Sequence, residues 1–330
     1  MWTPRVTKIG QPFLDTAIYL YPDADEADNG SRAGGSGFLV SVPASDSANN
    51  HVFAVTNKHV IVGEPSRGVD PAPVIRLNTE DGSQSVIPLK EGQWIKADRD
   101  DLAVALIVET DLRHYRYQTV PLARFVTEDE AWEDRNISTG TPCFMVGRFI
   151  GQDGRQRNYP AARFGNLSLM PYEEIETRYG IQTAFIVEMH SISGFSGSPV
   201  FTYPHFAGWG GPKNSISQLL GVDCGHLTVD QQMVVADKAP GGGLYAQGNS
   251  GGAIVVAAWR LHALLTDDPR TKRAMETEEM RTKKRDEGYS LDSASHEPQV
   301  SGKEPERLKI DAPMDEAVKK MFEAGKPPRE

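Results

Sequence analysis

The sequence predicts a mostly β protein closed by a short helix and followed by a charged C-terminal extension, and three observations lead there. About a dozen short apolar runs are separated by turn-forming residues with few helical stretches between them, which fits antiparallel sandwiches or barrels and not alternating βαβ units. Residues 257–265, Ala-Ala-Trp-Arg-Leu-His-Ala-Leu-Leu, carry apolar side chains at helical spacing and end the apolar part of the chain. Beyond them the charge density steps up: 30 of the last 65 residues are charged, against 50 of the first 265. The body therefore spans residues 1–265 and the extension 266–330.

The strands follow in order. Gly37-Phe38-Leu39-Val40 and Val52-Phe53-Ala54-Val55 come first. Residues 73–77 and 85–89 then flank Thr79-Glu80-Asp81-Gly82, a hairpin loop. The strongest run is 102–108, Leu-Ala-Val-Ala-Leu-Ile-Val, and later runs lie at 142–146, 184–187, 199–201, 219–222, 233–235 and 253–256. No internal repeat interrupts this series.

Composition narrows the function. The chain of 330 residues has a formal net charge of -10, which argues against general nucleic-acid binding through phosphate neutralisation. No stretch approaches the roughly 20 apolar residues needed to cross a bilayer, and Met1-Trp2-Thr3-Pro4-Arg5 is followed by no apolar signal core, so an unexported, cytoplasmic protein without membrane partners is expected. Cys143 and Cys224 form neither a disulfide framework nor a metal-site spacing.

Chemistry concentrates in three places. In Ser193-Gly194-Phe195-Ser196-Gly197-Ser198-Pro199-Val200 a serine between glycines permits a tight turn that exposes its hydroxyl and gathers backbone N–H groups beside it. On its own, such a turn also serves simply to join two strands. His59 stands in Thr56-Asn57-Lys58-His59-Val60, where an apolar strand gives way to a loop or helical turn; lone histidines there are commonly surface residues. Asp101 opens the strongest apolar strand, a place that strand-end aspartates also fill.

Taken in order, Gly35-Ser36-Gly37-Phe38-Leu39-Val40, Thr56-Asn57-Lys58-His59-Val60, Asp101-Leu102-Ala103-Val104 and Gly194-Phe195-Ser196-Gly197-Ser198-Pro199 resemble the signature of the chymotrypsin-fold, trypsin-like serine peptidases, over roughly residues 16–265. The resemblance implies two antiparallel six-stranded β-barrels, about 16–115 and about 140–257, with a cleft between them and residues 257–265 as closing helix. It implies Ser196 as nucleophile, His59 as general base and acid, Asp101 as the group that orients the imidazole, and the N–H groups of Gly194 and Ser196 as oxyanion hole. No metal or organic cofactor is required. The implied activity is that of a serine endopeptidase acting on a protein or peptide; the alternative is a catalytically silent module of the same fold that binds peptides or protein partners.

The sequence departs from the digestive members of that family. Phe195 replaces the aspartate that would pair with a freshly cleaved N-terminal amine, which argues against activation by N-terminal trimming. The usual disulfides are absent too, as in the intracellular bacterial members. Strands after the nucleophile are expected at 199–203, 218–224, 232–236 and 253–257. Gly248-Asn249-Ser250-Gly251-Gly252-Ala253 matches the nucleophile pattern a second time, but a nucleophile at Ser250 would leave too few strands to close the second barrel, so Ser196 is preferred. The family's pocket positions fall on His190, on Asp223, Cys224, Gly225 and His226, and on Gly252, and they permit recognition of either an acidic or a basic side chain. In the extension, Met314, Val318, Met321 and Phe322 share one helical face, which suits either a solvated tail or a segment that docks on a regulatory protein partner or on the body itself.

Overall fold

The apolar runs form strands because branched and aromatic side chains fit a pleated surface and the intervening Gly, Pro and Asn residues turn the chain. The computed structural model describes residues 8–45, 49–108, 112–133, 137–152, 154–190, 194–203, 217–233 and 244–294. Two compact units divide at residue 282, the second being 283–330.

In the first unit, β1 (Ala17–Tyr21), β2 (Gly35–Pro43), β3 (Asn50–Thr56), β4 (Val74–Asn78), β5 (Gln84–Ile87), β6 (Ile95–Lys96) and β7 (Ala103–Ile107) pair in the order β5-β4-β1-β2-β3-β7-β6, and β8 (Val120–Pro121) lies parallel to β2. The second sheet is a closed barrel of six strands, β9 (Pro142–Gly147), β10 (Ala161–Leu169), β13 (Ala184–Glu188), β14 (Pro199–Thr202), β15 (Leu219–Met233) and β16 (Leu244–Ala257), in the order β10-β13-β16-β15-β14-β9. Between them in sequence, β11 (Ile175–Thr177) and β12 (Gly180–Gln182) make a separate hairpin. Six α-helices lie among the described residues, besides short 3-10 turns: α1 (Gln11–Leu14), α2 (Ala24–Asn29), α3 (Lys58–Val62), α4 (Glu128–Glu133), α5 (Ala258–Thr266) and α6 (Pro269–Ala294).

The mostly β class and the hairpin around Gly82 are as the sequence predicts; Gly82 has φ 86° and Asp81 accepts hydrogen bonds from Thr79 and Ser83. Three details differ. The first sheet has eight strands, not six, and among the described residues no ladder joins its ends, β5 and β6. Pro88 has no N–H to continue the ladder past Ile87, and the chain enters a 3-10 turn at Glu91–Gln93 before the two-residue β6. Next, the strands expected separately at 218–224 and 232–236 merge into a single long β15 that runs as far as Met233. Register shifts between Asp223 and Gly225 and between His226 and Thr228 carry it past Gly225, whose φ is 138°. Residues 234–236 lie outside the described residues.

The third difference is the boundary at 265. One buried cluster runs from Phe38, Phe53 and Val55 of the first sheet to Phe144, Val222 and Val256 of the barrel and to Leu261, Leu264 and Leu265 of α5. Each such leucine contributes about 1.5–3 kcal/mol of burial, so α5 closes the body as expected. The packing continues into α6: Thr271 is fully buried, Met275 lies against the same cluster, and Glu279 accepts from the Ser45 N–H at 3.0 Å and bonds His51 Nε2 at 2.9 Å. A highly charged helix docks because its few inward positions are neutral or find a polar partner. Met314, Val318, Met321 and Phe322 lie outside the described residues. Among the described residues no helix is long and apolar enough to cross a membrane.

Candidate active site

His59 is positioned by the end of β3. The Thr56 hydroxyl donates to the carbonyl of Ser36 at 2.7 Å and Asn57 Nδ2 to the carbonyl of Asp101 at 2.9 Å, so the chain leaves the sheet tied on both sides and begins α3. The Asp101 carboxylate meets His59 twice: Oδ2 lies 2.6 Å from Nδ1, and Oδ1 accepts from the His59 backbone N–H at 2.9 Å. A carboxylate can only accept, so the fitting tautomer carries its proton on Nδ1 and leaves Nε2 for proton transfer.

Asp101 is 2% exposed and opens the edge of β7. Its N–H donates to Gln182 Oε1 at 3.0 Å, and its neighbour Asp100 accepts from Arg260 of α5 at 3.0 and 2.8 Å. The closing helix thus holds the loop that presents the carboxylate. Tyr179, at the turn of the β11–β12 hairpin, stacks flat on the imidazole, with centroids 3.8 Å apart and planes 1° apart. Its hydroxyl donates to Glu64 Oε1 at 2.8 Å; burial, followed by that acceptor, raises the phenol well above its ordinary range.

Ser196 lies half-buried in the expected turn, between Gly194 at φ 93° and Gly197 at φ 89°. Ser36 fastens it to the first sheet: its N–H donates to the Ser196 carbonyl at 3.0 Å and its hydroxyl to the Gly194 carbonyl at 2.7 Å. A Cβ on Gly35 would come within 2.9 Å of Val60 and 3.3 Å of the Ser196 carbonyl, so one glycine's width separates the Ser196 backbone from the residue after His59. Among the described residues no hydrogen bond joins Ser196 Oγ to His59. Of the two contacts the family resemblance predicts for His59, the one to Asp101 is therefore formed.

Phe195 is fully buried in the barrel core, where no ion pair could form. The Arg163 guanidinium lies 4.7 Å over its ring and 4.9 Å over Phe149, and donates to the His190 carbonyl at 2.7 Å, so one side chain touches both flanks of residues 191–193. Burial holds the Arg163 pKa below its ordinary value.

The suggested pocket residues come from adjacent strands. Glu188 of β13 pairs with Gly252 of β16, and Ala253 pairs with His226 of β15, which brings the exposed His190, Gly252 and the half-buried His226 to one edge of the barrel. Burial lowers the His226 pKa, with Arg178 and His190 adding to it. Asp223 is fully buried, its carbonyl accepting from the Gly197 N–H at 2.8 Å. Cys224 is buried and its thiol is pushed well above the ordinary range by burial, then by Asp101 and Asp223, while burial raises Cys143 to about 12. Both are packing groups, not thiolates. Ser250 lies exposed within β16, its hydroxyl accepting from the Gly252 N–H at 3.2 Å. The last strand, expected at 253–257, begins at Leu244 and so takes in the whole Gly248–Ala253 string.

Sequence reasoning missed Tyr179, Gln182, Glu64, Arg163 and Arg260. The available signal was an aromatic beside the glycine of a polar turn, Arg178-Tyr179-Gly180. Among the described residues no group of three or more His, Cys, Asp or Glu side chains could hold a metal ion.

No protein-family description and no curated protein matches the chain in sequence. Several solved structures are similar to it. They include the MamO protease domain from Magnetospirillum magneticum in its apo form, at 12% identity over 76% of this chain and 96% of that one, with a TM-score of 0.43. The inactive form of the Rv3671c protease, from M. tuberculosis, has 14% identity over 77% and 89%, with a TM-score of 0.42. HBP has 12% identity over 79% and 92%, with a TM-score of 0.41. At such identities and scores the functional reading rests on the site's own geometry.

Proposed function

We propose that the chain is a serine endopeptidase that forms an acyl-enzyme at Ser196. The observation that carries this reading is the two-point contact between Asp101 and His59, next to Val60, which Gly35 alone separates from the Ser196 carbonyl. His59 Nε2 takes the proton from Ser196 Oγ as it attacks the peptide carbonyl, and returns it to the leaving amine. Asp101 holds the imidazole and stabilises the imidazolium, and the N–H groups of Gly194 and Ser196 receive the oxyanion. Water then repeats the sequence on the ester. His190, His226 and Gly252, with Asp223, Cys224 and Gly225 behind them, form the proposed specificity pocket.

A fluorophosphonate probe tests the assignment. Wild type and Ser250→Ala should be labelled at Ser196 and should cleave members of a peptide library, whereas Ser196→Ala and His59→Ala should lose both while keeping the wild-type melting profile. Labelling lost in Ser250→Ala and kept in Ser196→Ala would transfer the nucleophile to Ser250. A wild type that is neither labelled nor active would favour the silent binding module, for which the absent hydrogen bond between His59 and Ser196 is the supporting observation.

A further inference from the structure

The β11–β12 hairpin belongs to neither large sheet, yet it touches both members of the His59–Asp101 pair. At its turn, Tyr179 lies flat on the imidazole, 3.8 Å between centroids. A parallel ring covers one face of an imidazole and leaves free the edge on which both nitrogens sit. At its second strand, Gln182 is fully buried, accepts from the Asp101 N–H at 3.0 Å, and donates from Nε2 to the Tyr179 carbonyl at 3.4 Å. One glutamine therefore links the two contacts.

The ring is itself held on both sides. Thr177 Oγ1 accepts from the Tyr179 N–H at 3.1 Å and donates to the carbonyl of Gly180, whose φ of 104° makes the turn tight. At the other end the phenol donates to Glu64, two residues beyond α3, so the tether returns to the helix that carries His59. Arg67 and Arg178, 3.4 and 3.6 Å from Glu64, keep that carboxylate in place.

We propose that Tyr179 and Gln182 are positioning residues for the His59–Asp101 pair. The bond at Nδ1 sets the direction of the imidazole but leaves it free to rock about the line joining Nδ1 to the carboxylate. A second ring pressed flat against one face opposes that rocking and keeps Nε2 aimed along one path. Gln182 acts a step further back, fixing the backbone from which the carboxylate projects. The proposal rests on the peptidase reading for its kinetic consequence, though not for its geometry.

The test uses the full chain with Tyr179→Leu, Tyr179→Phe and Gln182→Leu. The first measurement, in a Ser196→Ala background, is the far-downfield proton resonance of His59 Nδ1–H bonded to Asp101. The second, with Ser196 intact, is the second-order rate of fluorophosphonate labelling. Tyr179→Leu and Gln182→Leu should broaden or abolish the resonance and slow labelling about tenfold, in variants that remain fully folded at the assay temperature although Gln182→Leu melts lower for the buried Asp101 N–H it leaves without its acceptor. Tyr179→Phe, which keeps the stack and loses only the tether, should retain the resonance and slow labelling less. An unchanged resonance and labelling rate in both leucine variants would overturn the proposal. So would loss of the resonance only in proportion to lost melting stability, with Tyr179→Phe equal to wild type in every measurement. A wild type that resists labelling but shows a resonance sensitive to Tyr179→Leu would refute the peptidase reading and leave the positioning role standing.

Discussion

Replacing Gly197 by alanine should damage the fold and the site together, and a matched glycine elsewhere isolates the reason. Gly197 and Gly251 have nearly the same positive φ, 89° and 86°. An alanine at either position incurs the left-handed penalty of about 1–2 kcal/mol. Their surroundings differ completely. A Cβ at Gly197 would fall 2.1 Å from the Ser36 carbonyl oxygen and 2.3 Å from Thr56 Oγ1, whereas at Gly251 nothing lies within 4 Å. The Ser36 oxygen is backbone within a paired strand and cannot swing aside, so overpacking adds about 1–3 kcal/mol at Gly197 alone. Gly197→Ala should therefore cost about 2–5 kcal/mol and Gly251→Ala about 1–2, and the gain from restricting the unfolded chain cancels between them. Denaturant midpoints at constant slope measure the difference. Gly197→Ala should also lose Ser196 labelling, because relieving the clash moves the turn away from Ser36. Equal midpoints for the two variants would refute the close-approach argument, and full labelling of Gly197→Ala would show that Ser36 does not set the position of Ser196.

Two further outcomes concern α6. A chain ending at residue 282 should melt with the full chain, whereas one ending at 265 should melt roughly 5 °C or more lower, since it loses the buried Thr271, Met275 and the Glu279 contacts; equal melting of the two would return the boundary to 265. The Glu279 pKa is held below 4.5 first by the Ser45 N–H and then by His51, so its contribution is complete above about pH 4.5 and is lost as pH falls through the depressed value. Hydrogen exchange in the first turns of α6 should accelerate over that acid range in wild type and show no such step in Glu279→Gln.

The regions of this fold legible in the sequence are those in which one strand carries its own signal. Leu102 to Ile107 is apolar on both faces and becomes β7, and Asp101 at its mouth stands against His59 because β3 and β7 are neighbours, Thr56 opposite Ala103. What stayed hidden depends on contacts between distant segments. β10 alternates exposed Phe164 with half-buried Arg163, a pattern that reads as neither core nor surface until Phe195 and Phe149 are seen on the guanidinium. Tyr179 and Gln182 sit in a polar stretch with no periodicity, and their importance arises only where the hairpin meets α3 and Asp101. The docking of α6 was masked by its charge, since burial there concerns one face of a helix whose other faces are solvated. The run 85–89 reads as strand throughout, yet β5 ends at Ile87, where Pro88 offers no donor and a 3-10 turn follows.

Ser36 binds the turn of Ser196 across 158 positions of sequence, through its hydroxyl to Gly194 and its N–H to Ser196, while its own hydroxyl also accepts from the Arg148 N–H at 2.9 Å. The residues that would react are thus on different halves of the chain, and the groups that align them are contributed by the opposite half. Synthesis runs from the N-terminus, so His59 and Asp101 emerge well before Ser196 leaves the ribosome. Under the proposed function, competence would require the barrel to seat its turn on Ser36, a contact that needs both halves of the chain. A copy lacking the second half would carry His59 and Asp101 without the Ser196 turn, Tyr179 or Gln182 beside them.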